Sequence, residues 1–167
     1  MESCQISVVV PVYNSVDTLE PLFIAVQSSM RKLDQTFEVV FVDDGSQKET
    51  WAELKRIKKE FGEQITIIRL GRNYGQNAAT VCGLTNAKGE IVITIDDDLQ
   101  TPPSEIEKLF RCFQEKDAAA VFGITPQQKN PLVKRLGSYM IKRIFNWVDG
   151  ADIGSSFRLI GPELKLK

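Results

Sequence analysis

Strand-like apolar segments alternate with amphipathic helical segments along most of the 167 residues, and this alternation is the strongest constraint on the fold. Ile6–Val12 is apolar at odd and even positions, which is typical of a strand covered on both faces. Further strands are predicted at residues 37–42, 65–70, 91–95, 118–123 and 157–160. Helical spacing of apolar residues fills the intervals, at residues 19–30, 51–61, 75–87, 101–113 and 131–148. This order predicts an α/β fold in which helices cover both faces of a mostly parallel sheet.

The composition fits one compact domain and excludes several functional classes. A chain of this length buries a core without disulfides, and its three widely spaced cysteines form neither a disulfide framework nor a zinc pattern. The chain contains no histidine, which excludes Ser-His-Asp and Cys-His catalysis and histidine metal ligands. A net charge of −1 argues against general nucleic-acid binding. No signal peptide is predicted, and no apolar run reaches the roughly 18 residues that a membrane span needs.

Two acidic clusters follow predicted strands. Asp43 and Asp44 come directly after the second strand, and the triplet Asp96, Asp97 and Asp98 follows the fourth. In open parallel sheets, ligands bind beyond the carboxyl ends of the strands. Because both clusters fall at such ends, we expect them to line one binding site.

The triplet carries the metal prediction. Asp96 and Asp98 alternate with Asp97 and are therefore able to point to one side, and Gln100 adds a neutral oxygen at the same parity. Hard cations such as Mn²⁺ and Mg²⁺ prefer oxygen ligands of this kind, with phosphate oxygens completing the shell. A cation there would neutralise a diphosphate leaving group. The alternative interpretation is a solvated acidic turn, or a cap for the helix that begins at Thr101-Pro102-Pro103.

The second strand end combines binding and turn chemistry. The Asp43 carboxylate is a candidate acceptor of hydrogen bonds from a base or ribose. Gly45 permits a tight turn, and Ser46 with Glu49 has the spacing of a capping box for the next helix. The alternative is that Asp-Gly-Ser serves only the turn.

Two other segments supply candidate ligand contacts. After the first strand, Tyr13 is a candidate for stacking on a base and Asn14 for capping the first helix. Arg72 and nearby backbone amides are candidates for contacting phosphate or sugar. A packing role is favoured for the small residues that follow, which we expect to bring their helix close to the sheet: Ala78, Ala79 and Gly83.

Residues 129–148 form a basic amphipathic stretch. Five cations occur there without an acidic residue between Lys129 and Trp147, and aromatic residues are interspersed. Such a stretch predicts contact with an anionic membrane surface or a lipid phosphate. An ordinary surface helix with a solvated basic face is the equally open alternative.

Taken together, four motifs in this order resemble glycosyltransferase family 2, with its GT-A (Rossmann-like) nucleotide-sugar-binding fold. They are Val10-Pro11-Val12-Tyr13-Asn14, Val42-Asp43-Asp44-Gly45-Ser46, Asn73-Tyr74-Gly75 with Ala78, Ala79 and Gly83, and Asp96-Asp97-Asp98-Leu99-Gln100 before Pro102-Pro103. The last motif is similar to that of dolichyl-phosphate mannose synthase and the bacterial polyprenyl-phosphate glycosyltransferases. Asp97 departs from the small residue common at its position, which leaves open which carboxylates ligate the metal.

The resemblance implies roles for individual residues. The residues expected to contact the nucleotide sugar are Pro11, Tyr13, Asn14, Asp43, Asp44, Arg72, Gly75, Asp96 and Asp97. The expected metal ligands are Asp98 and Gln100, with Asp96 near the metal or nucleotide. The expected catalytic residues are Asp98, Asp152 and Arg158, and those expected at an acceptor phosphate are Lys134, Arg135, Ser155 and Ser156.

The resemblance also implies a reaction. It predicts metal-dependent, inverting transfer of a sugar from a UDP- or GDP-linked donor to a polyprenyl phosphate, at the cytoplasmic face of a membrane. A phosphate acceptor needs no general base; a sugar hydroxyl would, and Asp152 is then the candidate. Two alternatives stay open: a family 2 transferase that extends a glycan hydroxyl, and a nucleotide-binding domain without catalysis. Because this branch continues beyond Arg158, we expect residues 1–167 to be a catalytic domain truncated at its C-terminus, and the full-length protein to carry membrane helices.

Overall fold

The computed structural model describes residues 5–123 and 156–164, which form one α/β layer structure around a six-stranded sheet. The strands are β1 (Ile6–Val12), β2 (Phe37–Asp43), β3 (Ile65–Arg69), β4 (Ile91–Thr94), β5 (Ala120–Phe122) and β6 (Arg158–Ile160). The helices are α1 (Leu19–Leu33), α2 (Lys48–Phe61), α3 (Gln76–Asn86) and α4 (Glu105–Lys116). The predicted order of strands and helices is confirmed across these residues.

The sheet is parallel in its first four strands. Its order is β3-β2-β1-β4-β6-β5, in which β1 pairs with both β2 and β4 in parallel. The short β6 runs antiparallel to β4 and to β5. The sequence predicted a last strand at this position but not its direction. The expectation of a mostly parallel α/β sheet is therefore confirmed.

Helices cover both faces of the sheet, as predicted. On one face α1, α2 and α4 bury their apolar sides against alternate residues of the strands, including Val8, Val10 and Phe41. On the other face α3 packs on Val9, Val40 and Val42. The central strand β1 is apolar at every position but Ser7 because both of its faces are buried.

Close packing of α3 depends on its small residues. A Cβ added at Gly83 would lie 2.3 Å from the Val9 side chain, so only glycine lets the helix approach β1 at this point. Ala79 is fully buried, whereas Ala78 is exposed. The packing prediction therefore holds for Ala79 and Gly83 and is wrong for Ala78, which lies on the outer side of the helix.

Three predicted helix starts differ from the structure. Ser46 and Glu49 do not form a capping box: the N-cap of α2 is Gln47, and the Ser46 hydroxyl accepts the Asn14 N–H instead. Asn14 does not cap α1, whose N-cap is Thr18. Helix α4 begins after the prolines, at Glu105. In the first two cases a long-range contact takes the side chain that the local pattern assigned to a cap.

The register of the sheet brings the predicted sites together. Val12 pairs with Asp43, and Val9 pairs with Thr94, so β1, β2 and β4 end side by side. Both acidic clusters thus lie at one edge of the sheet. Among the described residues, none of the helices combines the length and apolarity that crossing a bilayer requires.

Candidate functional site

An open cleft of about 300 Å³ lies beyond the carboxyl ends of β1, β2 and β4. Four segments of the chain supply its walls, and they meet because the parallel strands place their ends next to one another. Its lining residues are Pro11, Val12, Tyr13, Asp44, Asn73, Gly75, Gln76, Asp96, Asp97 and Asp98. Seven of the predicted contact residues are therefore brought together: Pro11, Tyr13, Asp44, Gly75, Asp96, Asp97 and Asp98.

Asp44 anchors the loop that precedes α3. Its Oδ1 accepts the Tyr74 N–H at 2.7 Å, and its Oδ2 accepts the Gly75 N–H at 2.8 Å. Gly45 has a positive φ of 70°, and a Cβ there would lie 2.5 Å from the Arg72 carbonyl carbon. The turn after β2 and the loop before α3 therefore fit together only with glycine at position 45.

Asp43 does not line the cleft. It is fully buried, and its Oδ1 accepts the Ser46 N–H at 2.9 Å. Arg69 Nε lies 3.2 Å from Asp43 Oδ2, an ion pair whose angles fall short of a hydrogen bond. The same arginine donates to the Ser46 carbonyl and lies over the Trp51 ring. In the structure Asp43 supports the turn that carries Asp44.

The three aspartates after β4 have different surroundings. Asp96 accepts hydrogen bonds from Gln76 Nε2 and from the Ser156 hydroxyl, one at each carboxylate oxygen. Asp97 accepts the Tyr13 N–H at 3.2 Å. Asp98 is exposed and accepts the Gln100 N–H at 2.9 Å, which closes a turn over a left-handed residue at position 99.

Burial and mutual repulsion disfavour the ionised forms of the aspartates that follow β4. Burial raises the pKa of Asp96, and the charges of Asp97 and Asp98 raise it further, against the bonds from Ser156 and Gln76. Burial likewise raises the pKa of Asp97, with hydrogen bonds from Ser15 and Tyr13 opposing it. Negative charge on these aspartates is therefore energetically unfavourable, and a positively charged ligand would be favoured beside them.

The residues fit a divalent cation shared with a diphosphate. Across residues 5–123 and 156–164, no three acidic, cysteine or histidine side chains are arranged as a complete metal site. A cation that bridges phosphates needs only one or two carboxylates, because phosphate and water oxygens complete its shell. Asp98 is exposed at the cleft and is suited to this role, whereas both oxygens of Asp96 already have protein donors. Gln100 is exposed but does not line the cleft.

Other predicted residues lie beside the cleft. The Arg72 guanidinium carbon lies 4.8 Å from the centre of the Tyr74 ring, outside the lining. Asn14 has a left-handed φ of 56°, and its Oδ1 accepts the Gln47 N–H at 3.0 Å. Arg158 is half-buried on β6 with its Nε unpartnered; burial lowers the pKa of Arg158, and the charge of Asp96 opposes this.

Four predicted residues fall outside the described part of the chain. They are Lys134, Arg135, Asp152 and Ser155, and the basic stretch at residues 129–148 lies there too. Ser156 is described, and its hydroxyl donates to Asp96. The acceptor side of the predicted site therefore stays a prediction.

Sequence reasoning missed three residues that line the cleft: Val12, Asn73 and Gln76. All three lie within motifs noted in the sequence or directly beside one. Gln76 is the most consequential, because it reaches across to Asp96 from the first residue of α3. The packing of α3 on β1 and β2 brings Gln76 to the end of β4, and no local pattern encodes this contact.

Solved structures identify the class of fold. The mannosyltransferase PcManGT from Pyrobaculum calidifontis, in complex with GDP-Man and Mn²⁺, matches with a TM-score of 0.61 and 24% identity over 72% of this chain and 35% of that chain. GalNAc-T7 with UDP, GalNAc and Mn²⁺ matches with a TM-score of 0.51 and 27% identity over 57% of this chain and 18% of that chain. The fold is the GT-A fold of glycosyltransferases.

Sequence comparison identifies the family. The family model described as "Glycosyl transferase family 2" matches residues 7–153, and the chain belongs to that family. The undecaprenyl-phosphate 4-deoxy-4-formamido-L-arabinose transferase of Sodalis glossinidius is 31% identical over 92% of this chain and 47% of its own length. The chain thus spans about half the length of this curated relative. The resemblance to bacterial polyprenyl-phosphate glycosyltransferases is confirmed.

Proposed function

We propose that this chain is the donor-binding part of a metal-dependent, inverting glycosyltransferase. It would move a sugar from a nucleotide-diphosphate sugar to a polyprenyl phosphate. One observation carries the proposal: a cleft at the carboxyl ends of parallel strands, with three consecutive carboxylates on its rim. The names of the relatives support the acceptor class, since they act on undecaprenyl phosphate.

The two sides of the cleft suggest different roles for its residues. Pro11, Tyr13 and Asp44 come from the ends of β1 and β2 and would bind the nucleoside. Tyr13 is 51% exposed, so its ring is free to stack on a base. Asp96 and Asp98 would face the diphosphate on the other side. Neighbours of the same fold bind GDP-mannose or UDP together with Mn²⁺, which supports a nucleotide with a divalent cation as the ligand of this cleft.

The bond changes are simple. An oxygen of the acceptor phosphate attacks the anomeric carbon, the carbon–oxygen bond to the donor diphosphate breaks, and the nucleoside diphosphate leaves with the bonding electrons. A bound divalent cation would supply charge neutralisation for that leaving group. Asp98 would hold the cation, and Arg158, near Asp96, would offset negative charge at the inner end of the cleft. The acceptor is already anionic, so no general base is required.

The location follows from the acceptor. A polyprenyl phosphate resides in a membrane, so the domain would act at a membrane surface. The proposed surface is the cytoplasmic face. The basic residues at 129–148 would be suited to the anionic surface. Lys134, Arg135, Ser155 and Ser156 are the proposed acceptor-phosphate contacts, and Asp152 would serve as base only for a hydroxyl acceptor.

Product analysis tests the proposal. The protein is incubated with Mn²⁺ and radiolabelled UDP- or GDP-sugars, chosen by a thermal-shift screen of both series. Undecaprenyl phosphate in detergent and free oligosaccharides are offered as competing acceptors. We expect acid-labile label in the organic phase. Label in the oligosaccharides would instead indicate a glycan-extending transferase, and bound but unconsumed donor would indicate a nucleotide-binding domain without catalysis.

A further inference from the structure

Asp96 lies between two donors that come from distant parts of the chain. Gln76 Nε2 donates to its Oδ1 across 20 residues, and Ser156 Oγ donates to its Oδ2 across 60 residues. Thr94 at the end of β4 in turn donates to the Ser156 carbonyl. The carboxylate of Asp96 therefore cannot rotate without breaking a hydrogen bond on one side.

The backbone that carries Gln76 is itself fixed. Gln76 is the first residue of α3, and the preceding Tyr74 and Gly75 N–H groups both donate to Asp44. Asn73 Oδ1 accepts the Gly75 N–H as well, at 2.9 Å. Through this loop, the position of the Gln76 side chain depends on the nucleoside side of the cleft, while its amide reaches the diphosphate side.

The chemistry of Gln76 suits a role beside a cation. Its amide is neutral, so it donates to Asp96 without neutralising the negative charge of that carboxylate. A lysine or arginine at this position would compete with the cation for that charge. It also lines the cleft, although its side chain is engaged with the protein. Donors that orient a carboxylate beside a metal fix its geometry, and removing them weakens metal binding.

We propose that Gln76 is a positioning residue that holds the Asp96 carboxylate in place beside the divalent cation that Asp98 would bind together with the diphosphate. Ser156 performs the same task on the other oxygen. The proposal rests on the proposed function, because it presupposes that the cleft binds a nucleotide diphosphate with a metal. It gives helix α3 a part in metal binding, although none of the proposed metal ligands lies on that helix.

The test separates metal-dependent from metal-independent binding. Isothermal titration measures the Kd of UDP and of GDP with Mn²⁺ and, in parallel, with EDTA. We expect Gln76→Ala to weaken binding roughly tenfold with Mn²⁺ and to leave binding in EDTA unchanged. Ser156→Ala should show the same selective loss. Asn77→Ala is the matched control on the same helix turn, because Asn77 is exposed and does not line the cleft.

The possible outcomes are distinct. A merely structural role would weaken binding equally with and without Mn²⁺ and would lower the melting temperature. Either that result or an unchanged Kd in Mn²⁺ would overturn the proposal. Alanine is the better helix former on an exposed surface, so loss of folding is not expected. If the parent protein showed no Mn²⁺-dependent binding of either nucleotide, the proposed function itself would fall.

Discussion

At the residue scale, three adjacent aspartates perform three different tasks. Asp96 is held by two protein donors, Asp97 supports the backbone of Tyr13, and Asp98 stays exposed at the cleft. They have different neighbours because the chain leaves β4 at Thr94 and turns at Asp97 and Asp98. An acidic triplet is thus one exposed candidate ligand with two neighbours that shape the site around it.

Asp97 illustrates the cost of this arrangement, and Asp97→Asn should stabilise the protein when no metal is present. Asparagine keeps an acceptor for the Tyr13 N–H and removes a charge that burial disfavours. We expect the melting temperature in EDTA at pH 7.5 to rise by roughly 1–3 °C, as for a gain of less than 1 kcal/mol. The measurement is thermal unfolding of both proteins.

The pH dependence of this difference follows from the direction of the shift. The pKa of Asp97 in the folded protein lies above its ordinary 3.8, so the ionised group destabilises the fold above the raised value. As the pH falls through that value, the parent protein binds a proton and the advantage of Asp97→Asn shrinks. A difference that grew on acidification toward pH 4 would contradict this account.

At the element scale, local patterns predicted the strands and helices because burial on one or both faces dictates the spacing of apolar residues. The position of the cleft was also predictable, because the carboxyl ends of parallel strands lie side by side. The direction of β6 was not, because three residues carry no information about their partner. Ser46 misled the prediction because Asn14, 32 residues away, takes its hydroxyl.

The contact between two loops is a testable feature at this scale. A Cβ at Gly45 would meet the Arg72–Asn73 backbone at 2.5–2.6 Å, so Gly45→Ala must displace the loop that Asp44 holds. We expect a loss of roughly 2–5 kcal/mol in the free energy of unfolding. We also expect roughly tenfold or greater weakening of Mn²⁺-nucleotide binding. Urea unfolding and isothermal titration measure the two effects.

Gly62→Ala is the control for backbone strain. Gly62 also has a positive φ, of 67°, but nothing lies within 4 Å of the added Cβ, and the residue follows α2, outside the cleft. Its substitution should lower stability and leave nucleotide affinity unchanged. Equal losses of affinity in the two variants would show that the loop contact does not shape the site.

At the scale of the whole molecule, the two ends of the sheet use buried charge differently. At the amino end, the buried Glu38 accepts hydrogen bonds from Ser7, Thr66 and the Lys88 N–H, at 2.7 to 3.3 Å. At the carboxyl end, burial raises the pKa of two aspartates beside an open cleft. Satisfied polar groups stabilise one end, whereas the incompletely neutralised carboxylates at the other end are suited to the cation proposed there.

Isothermal titration of UDP and GDP with Mn²⁺ tests whether the cation binds at the carboxyl end of the sheet. One carboxylate is changed to an amide at each end of the sheet. Asp98→Asn keeps the acceptor for the Gln100 N–H but removes the charge, and we expect it to weaken binding at least roughly tenfold. Glu38→Gln, at the opposite end, should leave the Kd unchanged. Equal affinity of Asp98→Asn and the parent protein would contradict the assignment of the cation to this edge of the sheet.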